Sequence, residues 1–152
     1  MGALISHCDR MFGMLSGRLF ESLVLLFVRL ALAGIFWRSG RTKVVEGTWL
    51  QISDTTKYLF ENDYSDVPIP PDIAAHLATY SEHLFPILLV LGLATRFSAL
   101  ALLGMTLVIQ IFVFPEAWWS VHIVWVALAM VLISRGAGML SLDAAFMKAR
   151  GR

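Results

Sequence analysis

Four long apolar blocks organise the chain: Leu19 to Trp37, His83 to Thr95, Phe97 to Phe114 and Trp118 to Ser134. Each approaches the ~20 residues a helix needs to cross a bilayer's hydrocarbon core, the second only if it starts near Ala74 and so takes in Glu82 and His83. The pattern predicts an all-α fold, a transmembrane four-helix bundle spanning residues 19–143. Ahead of it, Leu4, Cys8, Met11, Phe12, Leu15 and Leu19 recur at helical spacing, with Ser6, His7, Asp9 and Arg10 opposite. Residues 1–18 therefore read as an interfacial amphipathic segment. Residues 144–152 form a basic C-terminal tail.

The breaks between blocks carry their own signals. Trp37 and Arg38 mark the first span leaving the hydrocarbon, and a long loop follows. Within it, Val44, Val45, Trp49, Leu50 and Ile52 interleave with Glu46, Gln51 and Asp54, the pattern of a short interfacial helix. Tyr58, Leu59, Phe60 and Tyr64 extend an aromatic strip. Pro71 followed by Asp72 suits a helix start. Pro86 leaves the carbonyl of Glu82 without its helical donor, so a kink is expected there. Pro115 closes the third span, and Gly136 and Gly138 cap the fourth.

Composition narrows the class. At 58% hydrophobic and 15% charged, the chain is far from the ~25% charged of a soluble domain. Net charge is +1, with no basic surplus for nucleic acid. Arg10, Arg18, Arg96, Arg135, Lys148, Arg150 and Arg152 fall on one side of the bundle, and Arg38, Arg41, Lys43 and Lys57 on the other, which also holds six acids between Glu46 and Asp72. Seven against four places both termini in the cytoplasm of a bacterial inner membrane. Cys8 is the only cysteine, so neither an intrachain disulfide nor a Cys-x-x-Cys redox pair exists.

Arg29 interrupts the first block. A guanidinium near the bilayer centre costs at least ~2.5–3.5 kcal/mol, so it is expected to face the bundle interior and to meet Glu82. His83, Gln110 and His122 lie in the outer halves of their spans, joined by Lys43 if the chain after Gly40 folds back. Trp37, Trp118, Trp119 and Trp125 supply flat walls suited to a planar ring such as a quinone, and equally to interface anchoring. A metal centre is disfavoured: His76 and His83 are two turns apart, ~10 Å, and Glu82, His83 and His122 form no ligand pair with the i, i+3 or i, i+4 spacing of bundle metal sites. A haem needs an axial histidine over a roomy cavity; His83 and His122 could supply two such ligands, and this reading is disfavoured to the same degree as a metal.

Several segments together resemble the DoxX family of small bacterial membrane proteins: Arg29-Leu-Ala-Leu-Ala-Gly34-Ile-Phe36, then Gly40 and Lys43, Glu82, Gly92-Leu-Ala-Thr95-Arg96, and Arg135-Gly136-Ala-Gly138-Met-Leu-Ser141-Leu-Asp143. The similarity covers about Leu19 to Asp143. Ala137 stands where the family usually has proline, Met139 where a basic residue is usual, and the loop after Lys43 is longer than typical. The resemblance implies an inner-membrane protein of the oxidoreductase type, after relatives that serve in a thiosulfate-oxidising, quinone-reducing complex, and it marks Arg29, Lys43 and Glu82. The expectation is a quinone-linked subunit of a redox complex. Arg29, Lys43 and Trp125 would hold the ring, Glu82, His83 and His122 would exchange protons, and electrons would come from partner subunits. The alternative is a non-catalytic membrane scaffold or small-solute carrier.

Overall fold

The computed structural model describes residues 17–151; most of the expected amphipathic segment 1–18 lies outside them. The described residues form six α-helices: α1 (Arg18–Thr42), α2 (Asp54–Asn62), α3 (Pro71–Leu91), α4 (Thr95–Phe112), α5 (Ile123–Arg135) and α6 (Leu142–Ala149). A 3₁₀ turn (Pro115–Ala117) and a π-helical turn (Trp118–His122) lead directly into α5. The described residues contain no strand, only a single antiparallel bridge between Val44 and Ile52.

Among the described residues four segments are long and apolar enough to cross a membrane: α1, α3, α4 and the composite Pro115–Arg135. They close into a ring in which α1 packs on α3 and α5, and α4 packs on the same two helices from the other side. Leu25, Leu32, Phe36, Leu89, Leu102 and Leu132 fill the centre. The outer surface is that of a membrane protein. Phe27, Phe97 and Ile111 are 73%, 64% and 63% exposed, while Arg29 and Glu82 are 1% exposed. Water would reverse that arrangement, whereas lipid tails favour it.

Local chemistry sets the helix ends. Pro71 occupies the first turn of α3, with Asp72 beside the positive end of the dipole. Gly92 ends the helix in the left-handed conformation at φ +67°, as glycine does without a Cβ penalty. The loop corrects one expectation. α1 continues unbroken to Thr42, and residues 44–52 form the bridge and a turn at Gly47 in place of an interfacial helix. Ser53 starts the loop's real helix instead, its hydroxyl accepting from Thr56 N–H. The Val-rich stretch 44–45 has the β-branched character that favours the extended pairing seen. α2 then lays Phe60 on Ala74 and Ala75 of α3.

Candidate functional site

Antiparallel packing of α1 on α3 puts Gly40 against Glu82 and His83. A Cβ on Gly40 would lie 2.9 Å from the His83 ring and 3.1 Å from Glu82 Cβ, so only hydrogen permits this approach. One turn of helix brings Ser39 and Lys43 to the same level. Lys43 Nζ lies 2.8 Å from Glu82 Oε2 and donates to Ser39 Oγ at 2.9 Å. The Glu82 side chain is 2% exposed and that of Lys43 15%, which leaves the ammonium at the mouth and the carboxylate at the floor.

His83 has a defined role in this cluster. Its Nδ1 lies 2.7 Å from the Thr79 carbonyl oxygen, which can only accept, so in the neutral ring Nδ1 carries the proton and Nε2 is a bare acceptor. That Nε2 is buried and has no partner among the described residues. Trp37 covers the ring edge to face, with centroids 5.2 Å apart. Tyr64, from the segment after α2, is close enough for the Glu82 charge to act on its phenol.

His122 is built on the same plan. Gln110 Nε2 donates to Pro115 O at 2.7 Å, which orients the amide so that its Oε1 faces His122 Nδ1, also at 2.7 Å. The proton again sits on Nδ1, leaving Nε2 as acceptor. Trp125 lies 5.0 Å from the His122 ring and 5.5 Å from Phe36. Phe36 and Trp37 are neighbours on α1, so one turn of that helix touches both histidine clusters. The π-helical turn containing His122 is a backbone feature that recurs at functional sites.

Arg29 does not meet Glu82. Its Nη1 donates to Leu89 O at 3.2 Å, its Nη2 donates to Leu140 O, and the carboxylate that acts on it electrostatically is Asp143. Eleven residues of α1 separate it from Gly40, ~16 Å at 1.5 Å per residue. The expected contact fails because α1 extends beyond the α3–α4 turn and Arg29 is level with that turn, against Gly92. There it helps tie that end of the bundle together. Asp143 accepts from Ala94 N–H at 2.8 Å and Thr95 N–H at 3.0 Å, capping α4, and its own N–H donates to Gly92 O at 2.9 Å.

The polar residues named from sequence therefore divide. Lys43, Glu82 and His83 come together, His122 and Trp125 form an adjoining cluster, and Arg29 belongs to a separate structural knot. Sequence reasoning missed Ser39 and Gly40 as members of the first cluster. Their spacing from Lys43 at i−4 and i−3 on a helix was the available signal. Trp119 is 80% exposed and faces outward, as an anchor does. Among the described residues no group of three or more metal-ligating side chains converges.

A ring of four spans enclosing a buried lysine–glutamate pair and two acceptor histidines defines a small polytopic membrane protein with a polar core. Residues 24–115 match the DoxX family, and the chain belongs to that family. It is also 36% identical over 140 residues to an uncharacterized protein of Haemophilus influenzae (strain ATCC 51907 / DSM 11121 / KW20 / Rd), covering 82% of this chain and 83% of the relative. No solved structure matches.

Proposed function

We propose that the chain is the quinone-binding subunit of an inner-membrane redox system, with the head group held at Lys43, Glu82 and His83. The observation that carries this reading is the presence of opposite hydrogen-bonding capacities in one cluster, on the partner of Glu82 and on the residue next to it. Lys43 offers only donors, suited to a quinone carbonyl, and neutral His83 Nε2 offers only an acceptor, suited to a quinol hydroxyl. The two states of the carrier differ in that respect.

A quinone supplies two-electron chemistry coupled to two protons. Lys43 orients and polarises a carbonyl oxygen, and His83 Nε2 takes or returns a proton. Glu82 holds the ammonium in place and is the second proton station on this level. His122, its tautomer fixed by Gln110 and its ring covered by Trp125, serves the neighbouring cluster. Trp37 and Trp125 wall the two rings from lipid. Electrons enter from partner subunits, and both termini face the cytoplasm.

The experiment is a titration of purified protein with a short-chain quinone, read by quenching of tryptophan fluorescence. Saturable quenching that is lost in Trp37→Phe, and weakened tenfold or more in Lys43→Met and His83→Ala, supports the reading. Unsaturable quenching, or equal affinity in all four proteins, refutes it. A second reading, a non-catalytic scaffold, draws on the close seating of Gly40 on His83, because so tight a contact serves helix register equally well. It expects no quinone affinity and a partner complex that fails to assemble without the chain.

A further inference from the structure

At the opposite end of the bundle, a groove of about 1090 Å³ opens between the start of α1, the α3–α4 turn and the 136–150 segment. Its walls hold four arginines, Arg18, Arg96, Arg135 and Arg150, against two carboxylates, Glu21 and Asp143. Both acids are already engaged: Glu21 pairs with Arg135 at 3.3 Å, and Asp143 accepts the two backbone N–H groups that cap α4. Among the described residues no carboxylate lies within 4.0 Å of Arg18 or Arg96. Arg96 is held in place by Nη2 donating to Ser134 O at 3.2 Å and by contact with Gly136, where a Cβ would come within 3.3 Å of its Nε.

The rest of the lining is apolar. Phe97, Met139 and Phe146 are exposed beside the groove, and Phe97 continues into the lipid-facing side of α4 with Leu100. Thr95 lines the floor and keeps a buried Oγ1 with no partner among the described residues. A cationic rim over an apolar track that runs out to the membrane matches an amphiphile with a negative head and hydrocarbon tails. A free soluble anion would have no use for the track.

We infer that this groove is a binding site for an anionic phospholipid of the inner leaflet. The phosphate sits between Arg18 and Arg96, the Thr95 hydroxyl donates to a head-group oxygen, and an acyl chain lies along Phe97. Basic pockets beside membrane helices select acidic head groups in this way. The site is separate from the Lys43–Glu82 cluster and stands whether or not that cluster binds quinone.

The test is native mass spectrometry of the full chain released from mixed micelles containing equal phosphatidylglycerol and phosphatidylcholine. The expected result is preferential retention of one phosphatidylglycerol, reduced about fivefold in Arg18→Gln and about fivefold again in Arg18→Gln/Arg96→Gln, the factor one basic residue near a head group carries. Arg96→Lys keeps the charge and should retain most of the preference, which separates lost binding from a disturbed Ser134 contact. Arg18 lies at the exposed first position of α1, so its variant tests the site without threatening the fold. Equal retention of the two lipids, as when a segment of the chain fills the groove, overturns the inference. So does a preference unchanged in Arg18→Gln, or one abolished by millimolar inorganic phosphate, which would mark a site for a small anion.

Discussion

Removing the Lys43 ammonium strands the Glu82 carboxylate at 1% exposure, and the size of the penalty follows from the asymmetry of the pair. A charge left buried without its partner costs ~3–5 kcal/mol, against ~0–1 kcal/mol for breaking a surface ion pair. Lys43→Met is therefore expected to lose ~3 kcal/mol of unfolding free energy. Glu82→Gln leaves the charge on Lys43, whose side chain is 15% exposed and can turn its head to the mouth of the cluster, so ~1 kcal/mol is expected there. In Lys43→Met/Glu82→Gln neither charge remains, and most of the loss should be recovered. The assay is reversible unfolding in mixed micelles, followed by circular dichroism, with the wild type and the three variants forming a double-mutant cycle. Equal losses in the two single variants that add in the double variant would refute the reasoning, because the pair would then be no more than a solvated contact.

Other consequences are equally direct. Gly92→Ala sets a Cβ 2.1 Å from Arg29 Nη1 and 2.5 Å from Ser141 Cβ at a positive φ, so it should abolish folding or cost more than ~3 kcal/mol, whereas Gly34→Ala, with nothing within 4 Å, should gain up to ~1 kcal/mol in the same assay. Asp143→Ala removes the cap on α4 and should cost ~1–2 kcal/mol, while Ala94→Gly relieves a left-handed alanine at φ +47° and should gain ~1 kcal/mol. Burial, then the charges of Asp63 and Glu82, pushes the Tyr64 phenol above its ordinary value of 10.0. A spectrophotometric titration of the tyrosines should show one late component that moves to lower pH in Glu82→Gln.

The spans were legible in the sequence because lipid imposes length and apolarity on every residue facing it, and the proline and glycine stops at 71, 92 and 136 are backbone constraints that act locally. Lys43 and Glu82 were legible as polar residues in need of partners. Their pairing with each other was not, because it depends on how far α1 slides along α3. The length of an apolar block does not fix that offset, and Gly40, which lets the helices touch, looks like any other glycine in a membrane segment. The same offset explains Arg29. Its apolar flanks read as mid-bilayer, yet the segment containing Ser141 and Asp143, more than a hundred residues further on, supplies its surroundings. The helix expected at 44–52 failed because periodicity over nine residues cannot separate a short helix from a turn whose two sides pair.

The most direct measurement is photolabelling of the protein in its native membrane with an azido-quinone, followed by peptide mapping. The account predicts label on the Trp37–Lys43 and Thr79–His83 segments, competed by unmodified quinone and absent in Lys43→Met. Label spread over the lipid-facing residues of α4 and α5, unaffected by competitor, would contradict it.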